Sequence, residues 1–501
     1  MANLFLLSGC SAIVLLVLWL FSARPPVTKE ALSHIPELRF DENDTPERYL
    51  SDSRSLLSKG YERYLRHGTP FQMRNPVGEL GPQLLLPMKY LDEVKAAPAS
   101  ILSFTEFSEK LFLLKYSDAP AQTDASAQVI RIDLNKNLGS IFSSTPCTGP
   151  LEVEAGLEAR ITSEDWTKVG VYDLVSSVVS QATAFILVGP ELCRNPEWLQ
   201  IALTTTFAVF GAANEIRDNF TPRWRWLARW KSEAPQQLQK IRARTIELLR
   251  PLYQERLDAI KKGRTSAFKD TLNWLLRLDS AEKSMARIAD QQLFLTLTSM
   301  HTTSGTLTSA LFDMLSHPEY HDELTEEMKQ AIAEGDGPWT LQQVSKMRKL
   351  DSFMKESQRV HPIGFITAQR IAVKPYTFKD GLYIPAGTVI QFPADAVHQD
   401  AANYPEPDKF DGYRFLRLRE TVDPNRFHFS SVSDTSMNFG AGFHSCPGRF
   451  FSALVIKYVL MLLWTRYEVK FPDGEGPKFM VHDFTMAPDP GVNIMVRKKK
   501  V

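Results

Sequence analysis

The chain has 501 residues, 44% hydrophobic and 11% aromatic, enough to fill a large core. Lysine plus arginine and aspartate plus glutamate both number 58, so the formal charge is zero. That balance argues against a nucleic-acid binder, which needs a basic excess or a basic face.

Leu4 to Phe21 is an almost unbroken apolar run without a charge, at the lower end of what spans a bilayer. It lacks the basic start and small-residue cleavage site of a signal peptide, so residues 1–23 are expected to be an uncleaved transmembrane anchor. Positive charges begin after it, at Arg24 and Lys29, which predicts a single pass with the body, residues 24–501, in the cytosol. No linker, repeat or low-complexity stretch divides that body, so one large domain is expected. Its sequons, Asn43-Asp44-Thr45 and Asn219-Phe220-Thr221, would stay unmodified there. Cys10, Cys147, Cys193 and Cys446 are scattered with no Cys-x-x-Cys pair, which disfavours zinc and disulfide frameworks and fits reduced thiols.

A helix-like stretch at 54–67 leads into strand-like runs at 71–73 and 83–87. Residues 100–125 carry Phe104, Phe107, Phe112, Leu113 and Tyr116 without a clear period. From about 128 to 330 helical periodicity dominates. Trp166 to Val188 predicts a buried helix, stopped by Gly189-Pro190. The stretch Phe220 to Lys231 interleaves Trp224, Trp226 and Trp230 with arginines, a composition suited to a membrane interface or an amphipathic surface helix.

Leu293 to Leu315 predicts a long helix holding Thr298, Ser299, His301, Thr302, Thr303 and Ser304. So many hydroxyls mid-helix are expected to open the backbone ladder locally. His317 and His321 stand four apart like zinc ligands, but the glutamate between them is misplaced and Pro318 marks a helix start, so they predict a solvated face. Glu356 and Arg359 are neighbours on one helix face. The chain ends Lys498-Lys499-Lys500-Val501, which resembles a cytosolic retrieval signal for the endoplasmic reticulum and reads first as a solvated basic tail.

The most informative stretch runs from Asn438 to Phe450. Gly440 and Gly442 permit turns other residues resist, and Cys446 precedes a predicted apolar helix from Gly448 to Trp464. The positive end of a helix lowers a thiol's pKa, so the stretch is expected to present a thiolate.

The string Phe439-Gly-x-Gly-x-His-x-Cys-Pro-Gly-Arg-Phe resembles the haem-ligand loop of cytochrome P450 enzymes, in the form found among fungal secondary-metabolism members. Glu356, Arg359 and Arg414 resemble that family's Glu–Arg–Arg triad, with Tyr413 as a departure beside Arg414. The resemblance implies a mainly α fold with a small β portion. It implies haem b between the long helix and the loop, with Cys446 as the iron ligand. Phe439, Gly442, His444, Gly448 and Arg370 would contact the cofactor, Arg370 and His444 at its propionates, with His444 standing where most members have arginine. Arg131 is a candidate for the second propionate.

Alignment on the family's helix pattern gives Thr302 the alcohol role and puts His301 at the acid position, a proposed catalytic pair. Thr298 and Ser299 replace the usual small residues there. The activity implied is monooxygenation of a hydrophobic small molecule with O2, using electrons from NADPH through a separate reductase at the endoplasmic reticulum membrane. A fungal terpenoid, meroterpenoid or alkaloid intermediate is the expected substrate. Desaturation, ring rearrangement or multi-step oxidation is the alternative chemistry, and a non-catalytic haem-binding membrane protein the alternative class. The reductase is expected to dock over the Cys446 side, near Arg449 and Lys457.

Overall fold

The structure, a computed structural model, describes residues 32–74, 80–81, 83–143, 149–264, 269–278, 283–334 and 340–500. The apolar run 4–21, Cys10 and Cys147 lie outside the described residues.

Helices carry the framework: α1 (Phe104–Phe112), α2 (Gly149–Arg160), α3 (Val171–Val188), α4 (Pro196–Asn219), α5 (Glu233–Lys261), α6 (Thr271–Arg277), α7 (Met285–Ser316), α8 (Arg348–Val360), α9 (Arg414–Thr421) and α10 (Arg449–Arg466). Their starts follow capping chemistry. The Asn195 side chain accepts from the N–H groups of Glu197 and Trp198 at 2.9 and 3.0 Å, and Pro196 fills the first position of α4, where no N–H is needed. Asp270 caps α6 by accepting from Asn273 N–H at 2.7 Å, and Ser103 caps α1.

The helix α7 runs through the middle, packed on α3, α4, α5, α8 and α10. α3 and α10 are apolar on nearly every face, which places them inside. α3 is also the one described helix long and apolar enough to cross a membrane, yet it lies mostly buried in the protein. The hydroxyls of α7 do not open it. Thr296, Thr298, Ser299, Thr302, Thr306 and Ser309 each donate to the carbonyl four residues back, at 2.6–3.1 Å, and the helix is continuous for 32 residues. Each proton is spent on a carbonyl that keeps its backbone bond, so no rung is lost.

The β portion is small. A six-stranded sheet contains β1 (Glu37–Leu38), β2 (Phe71–Met73), β3 (Gln83–Leu85) and β4 (Leu102–Ser103). β5 (Thr167–Gly170) belongs elsewhere. The large sheet is completed by β6 (Thr367–Ala372), while β7 (Tyr376–Thr377) and β8 (Tyr383–Ile384) form a hairpin. With β9 (Val389–Phe392), the order is β1-β2-β3-β9-β6-β4. β10 (Tyr467–Lys470), β11 (Phe479–His482), β12 (Thr485–Pro488) and β13 (Asn493–Lys498) make two smaller sheets, ordered β10-β13-β5 and β11-β12. A second apolar core fills the space under the large sheet.

Two segments differ from the sequence-based expectation. Within 100–125, Phe104–Phe112 is helical because Ser103 caps it and Phe107 anchors it in the core. Ahead of α3, Thr167–Gly170 is not helical but pairs with β13 in antiparallel register, from Thr167↔Val496 to Gly170↔Asn493. The basic tail is not free over the described residues. Lys498 ends β13, and Lys499 donates through Nζ to the Trp464 carbonyl at 2.7 Å.

Candidate active site

A cavity of about 460 Å³ lies between α7, β6, the loop before α10 and the end of α3. The loop reaches it through two left-handed residues, Gly440 (φ +77°) and Gly442 (φ +61°), where side chains carry strain. Cys446 N–H donates to the Phe439 carbonyl at 2.8 Å, which closes the loop and leaves the thiol facing the cavity. The surrounding protein pushes the Cys446 thiol above its ordinary value even though its surface is open to the cavity, against the pull of the Gly448 N–H, the Arg449 charge and the Arg449 N–H. The expected lowering by the helix end is present but outweighed. A bound metal would deprotonate the thiol outright.

Four consecutive residues of β6, Thr367 to Arg370, line the same cavity. A regular strand alternates faces and cannot do this. Here Ala368 takes φ +50° and the pairing with β9 slips between Thr367 and Arg370, a bulge that re-aims the side chains. Arg370 is only 3% exposed, and burial pulls its guanidinium down to about 10. It donates to the neighbouring Gln369 carbonyl at 2.7 Å and faces the Phe104 ring at 5.9 Å. Among the described residues it has no carboxylate partner. His444, at the end of the Gly442–His444 turn, also lines the cavity and sits 6.3 Å from the Phe104 ring. Burial and the charges of Arg370 and Arg131 lower its pKa.

These features fit the haem that the sequence resemblance implies. A buried cation without a counter-ion calls for an anion beside it. Gly448 has an ordinary φ, and a Cβ there would meet only Ile130 at 3.9 Å, so protein packing does not demand glycine. On the cavity side a bare backbone lets a flat group approach closely. Phe439 and Phe451 add apolar wall. Arg131 is outside the lining; it lies over the Phe443 ring at 4.1 Å and donates to the Phe443 carbonyl at 3.3 Å. Its charge bears on the site by helping to lower the His444 pKa.

Across the cavity stand Thr298, Ser299, Thr302, Thr303 and Thr306 of α7. Thr302 donates to the Thr298 carbonyl at 2.9 Å, and Thr303 bonds Ser452 of α10 at 3.2 Å. The structure does not bring His301 to the cavity. Its ring turns to the opposite flank, where Nδ1 accepts from the Tyr172 hydroxyl at 2.7 Å and Nε2 donates to the Leu203 carbonyl at 3.1 Å. It stacks on Tyr172 and meets the edge of Phe207, and burial lowers its pKa. With both nitrogens occupied, it cannot serve as a relay into the cavity in this conformation. The reading by alignment missed this because neighbouring helix positions point about 100° apart.

Behind the loop, Glu356, Arg359 and Arg414 meet in the interior. Arg359 donates to both Glu356 oxygens at 2.8 and 2.9 Å, and Arg414 Nε does so at 3.1 and 3.2 Å. The remaining guanidinium protons go to carbonyls of His398, Pro405, Glu406 and Lys409. Lys457, expected at a docking surface, is buried instead. Its ammonium donates to Asp351 at 2.8 Å, and Arg419 reaches the same carboxylate at 3.0 Å. Burial pushes Asp351 up, but Lys457 and Arg419 hold it below the usual range. His317 pairs with Glu319, and His321 bonds the Met314 carbonyl; no cluster of metal-ligating side chains exists among the described residues.

Sequence reasoning missed several parts of the site. Thr183 and Ile186 of α3 line the cavity, as do Ile130 and Leu134 from a π turn, Val129–Leu134. Such turns recur at functional sites, but nothing in the local pattern marks one in advance.

The comparisons agree with this geometry. The family model for cytochrome P450 matches residues 158–495. The chain is 61% identical over 484 residues to cytochrome P450 monooxygenase ccsG of Aspergillus clavatus, covering 96% of each. It is 47% identical over 488 residues to pyrichalasin C-7 hydroxylase of Pyricularia grisea, covering 94% of this chain and 93% of that one. Among solved structures, the retinoic acid-bound cyanobacterial CYP120A1 superposes with a TM-score of 0.68 at 17% identity, covering 93% and 99%.

Proposed function

The chain belongs to the cytochrome P450 family of monooxygenases, and from that premise we propose that it hydroxylates a hydrophobic fungal secondary-metabolite intermediate in the cavity over Cys446. The observation that carries this is the convergence on one cavity of a single thiol, a buried guanidinium lacking a carboxylate, and the Thr302 hydroxyl. Hydroxylation is favoured over desaturation or rearrangement because a relative sharing 47% identity is named for hydroxylation at C-7 of pyrichalasin. The C-7-deoxy form of that compound is therefore the first substrate to assay.

Haem, when bound, supplies O2 activation with electrons delivered from NADPH by a separate reductase. The residues of the chain do the rest. Cys446 would hold the iron through its sulfur, and the Phe439 carbonyl fixes its loop. Arg370 and His444 would hold the propionates. Gly448 would let the ring approach, and Thr302 presents an oxygen whose own proton is engaged by the Thr298 carbonyl, so it can accept a proton or hydrogen bond at Oγ1. The walls around Phe294, Leu295 and Phe451 exclude bulk water. Residues 1–23 anchor the protein in the endoplasmic reticulum membrane with the body in the cytosol. Trp224, Trp226 and Trp230, each more than half exposed, rest at the interface. The reductase docks on the Cys446 face, where Arg449 rather than Lys457 is within reach.

The test uses the purified full chain. The reduced carbonyl adduct should show the band of thiolate ligation, and Cys446→Ala should abolish it. With a reductase, NADPH and labelled O2, one labelled oxygen atom should enter the product. Absence of porphyrin, or a histidine-type spectrum, overturns the reading.

A further inference from the structure

The buried helix α7 has an anomaly on its cavity face. From Gln291 to Leu315, all in the protein interior, only Thr298 and Thr302 are exposed, and both line the cavity. Their exposed surface is thus surface offered to whatever fills that space. Thr298 donates its proton to the Phe294 carbonyl at 3.1 Å, with Leu295's carbonyl 3.2 Å away. Its oxygen therefore faces the cavity with free lone pairs and no free proton. Turning that proton outward would give up the bond to Phe294. Toward a ligand, Thr298 is an acceptor.

A second hydroxyl on the cavity wall is also unsatisfied, there in both its proton and its lone pairs. Thr183 of α3 lines the cavity, is 4% exposed, and its buried hydroxyl has no hydrogen-bond partner. Two walls of a largely apolar cavity thus carry hydroxyl capacity that the protein leaves unused. Buried polar groups are normally satisfied, so unused capacity facing a cavity is capacity for a ligand.

We propose that Thr298 is a specificity-determining residue that accepts a hydrogen bond from an N–H or O–H group of the substrate. This rests on the proposed monooxygenase reading and narrows its substrate to a lipophilic molecule bearing such a donor. Thr302 lies one turn along the same face, about 6 Å away. A substrate held by its donor at Thr298 therefore presents a C–H bond near Thr302 and Cys446 instead of its polar group. A molecule identical in shape but with the donor methylated loses the bond, and the methyl meets the Thr298 side chain.

The experiment measures binding, not turnover. Three lipophilic secondary amides of increasing size, from N-benzyldecanamide to a fused-ring lactam, are compared with their N-methyl twins by equilibrium dialysis against the haem-loaded full chain. At least one secondary amide should bind about tenfold more tightly than its twin. Thr298→Val keeps the shape, removes the acceptor and should erase that preference; Thr298→Ser should retain it. Failure of every pair to be discriminated, including failure to bind, overturns the proposal, as does a preference surviving in Thr298→Val. The carbonyl spectrum is recorded on the same batches. A thiolate band without discrimination sinks this inference alone, and a missing band sinks it together with the monooxygenase reading.

Discussion

Glu356→Gln isolates what the interior triad contributes. The substitution keeps the shape but removes the only carboxylate that, among the described residues, faces Arg359 and Arg414, which are 1% and 8% exposed. Breaking a buried ion pair from one side costs about 3–5 kcal/mol, because the remaining charge stays buried and uncompensated. Two guanidiniums are orphaned here, which argues for the upper end. Each retains bonds to backbone carbonyls, which argues for the lower. We expect ~3 kcal/mol. At ~2 cal/mol/K per residue, a chain of roughly 450 folded residues has an unfolding entropy near 1 kcal/mol/K, so Tm should fall by about 3 °C. The haem content should fall with it, since Arg359 ties α8 to the His398 carbonyl and the Met437 N–H above the haem loop bonds the same histidine at 3.4 Å. Thermal melts followed by circular dichroism, with haem measured per chain, provide the assay. Glu406→Gln, at a solvent-exposed pair with Lys409 of 3.9 Å, is the control and should leave Tm within about 1 °C. If Glu356→Gln melts like that control with full haem, the triad argument is wrong.

Arg370→Gln removes the buried cation that lacks a carboxylate. Transfer of haem to a competing apoprotein should speed up about thirtyfold, the equivalent of ~2 kcal/mol, with Arg370→Lys intermediate; an unchanged rate refutes its role at a propionate. Lys355 is 2% exposed, donates to the Ser431 carbonyl and Ser436 hydroxyl, and is pulled from 10.5 down to about 8 by burial. Between those values the unfolded chain holds a proton the folded one has shed, so this group's contribution to stability rises with pH. The Tm of the wild type relative to Lys355→Met should therefore climb from pH 7.5 to 9.5, and a flat difference counts against the assignment. On the full chain carrying Trp19→Phe, which removes the tryptophan of the anchor, and bound to vesicles of brominated lipid, replacing Trp224, Trp226 and Trp230 by serine should remove most of the remaining fluorescence quenching; undiminished quenching argues against contact with the interface.

What could be read from sequence was chemistry held in short local strings. The Cys446 loop is specified by two left-handed glycines and a thiol before a helix, all within ten residues. Glu356 and Arg359 share a helix turn, so their pairing is a matter of spacing. The parts that escaped depend on distant partners. Lys457 looks like a surface residue until Asp351, over a hundred positions away, is packed against it. His301 sits one residue from Thr302, and only the packing of α3 and α4 against α7 decides that its ring turns outward. The bulge at Ala368 is equally invisible, because it arises from pairing with β9, not from any residue's own preference.

The helix α3 illustrates how context assigns an ambiguous segment. It carries enough apolar surface to cross a bilayer, and its covering partners come from both sides in the chain: α2 before it and α7 nearly a hundred residues later. A reporter fused soon after Val188 would leave that helix without its later cover and invite the insertion machinery to accept it. Topology mapped with such truncations would count an extra crossing that the complete polypeptide, having synthesised α7, does not make.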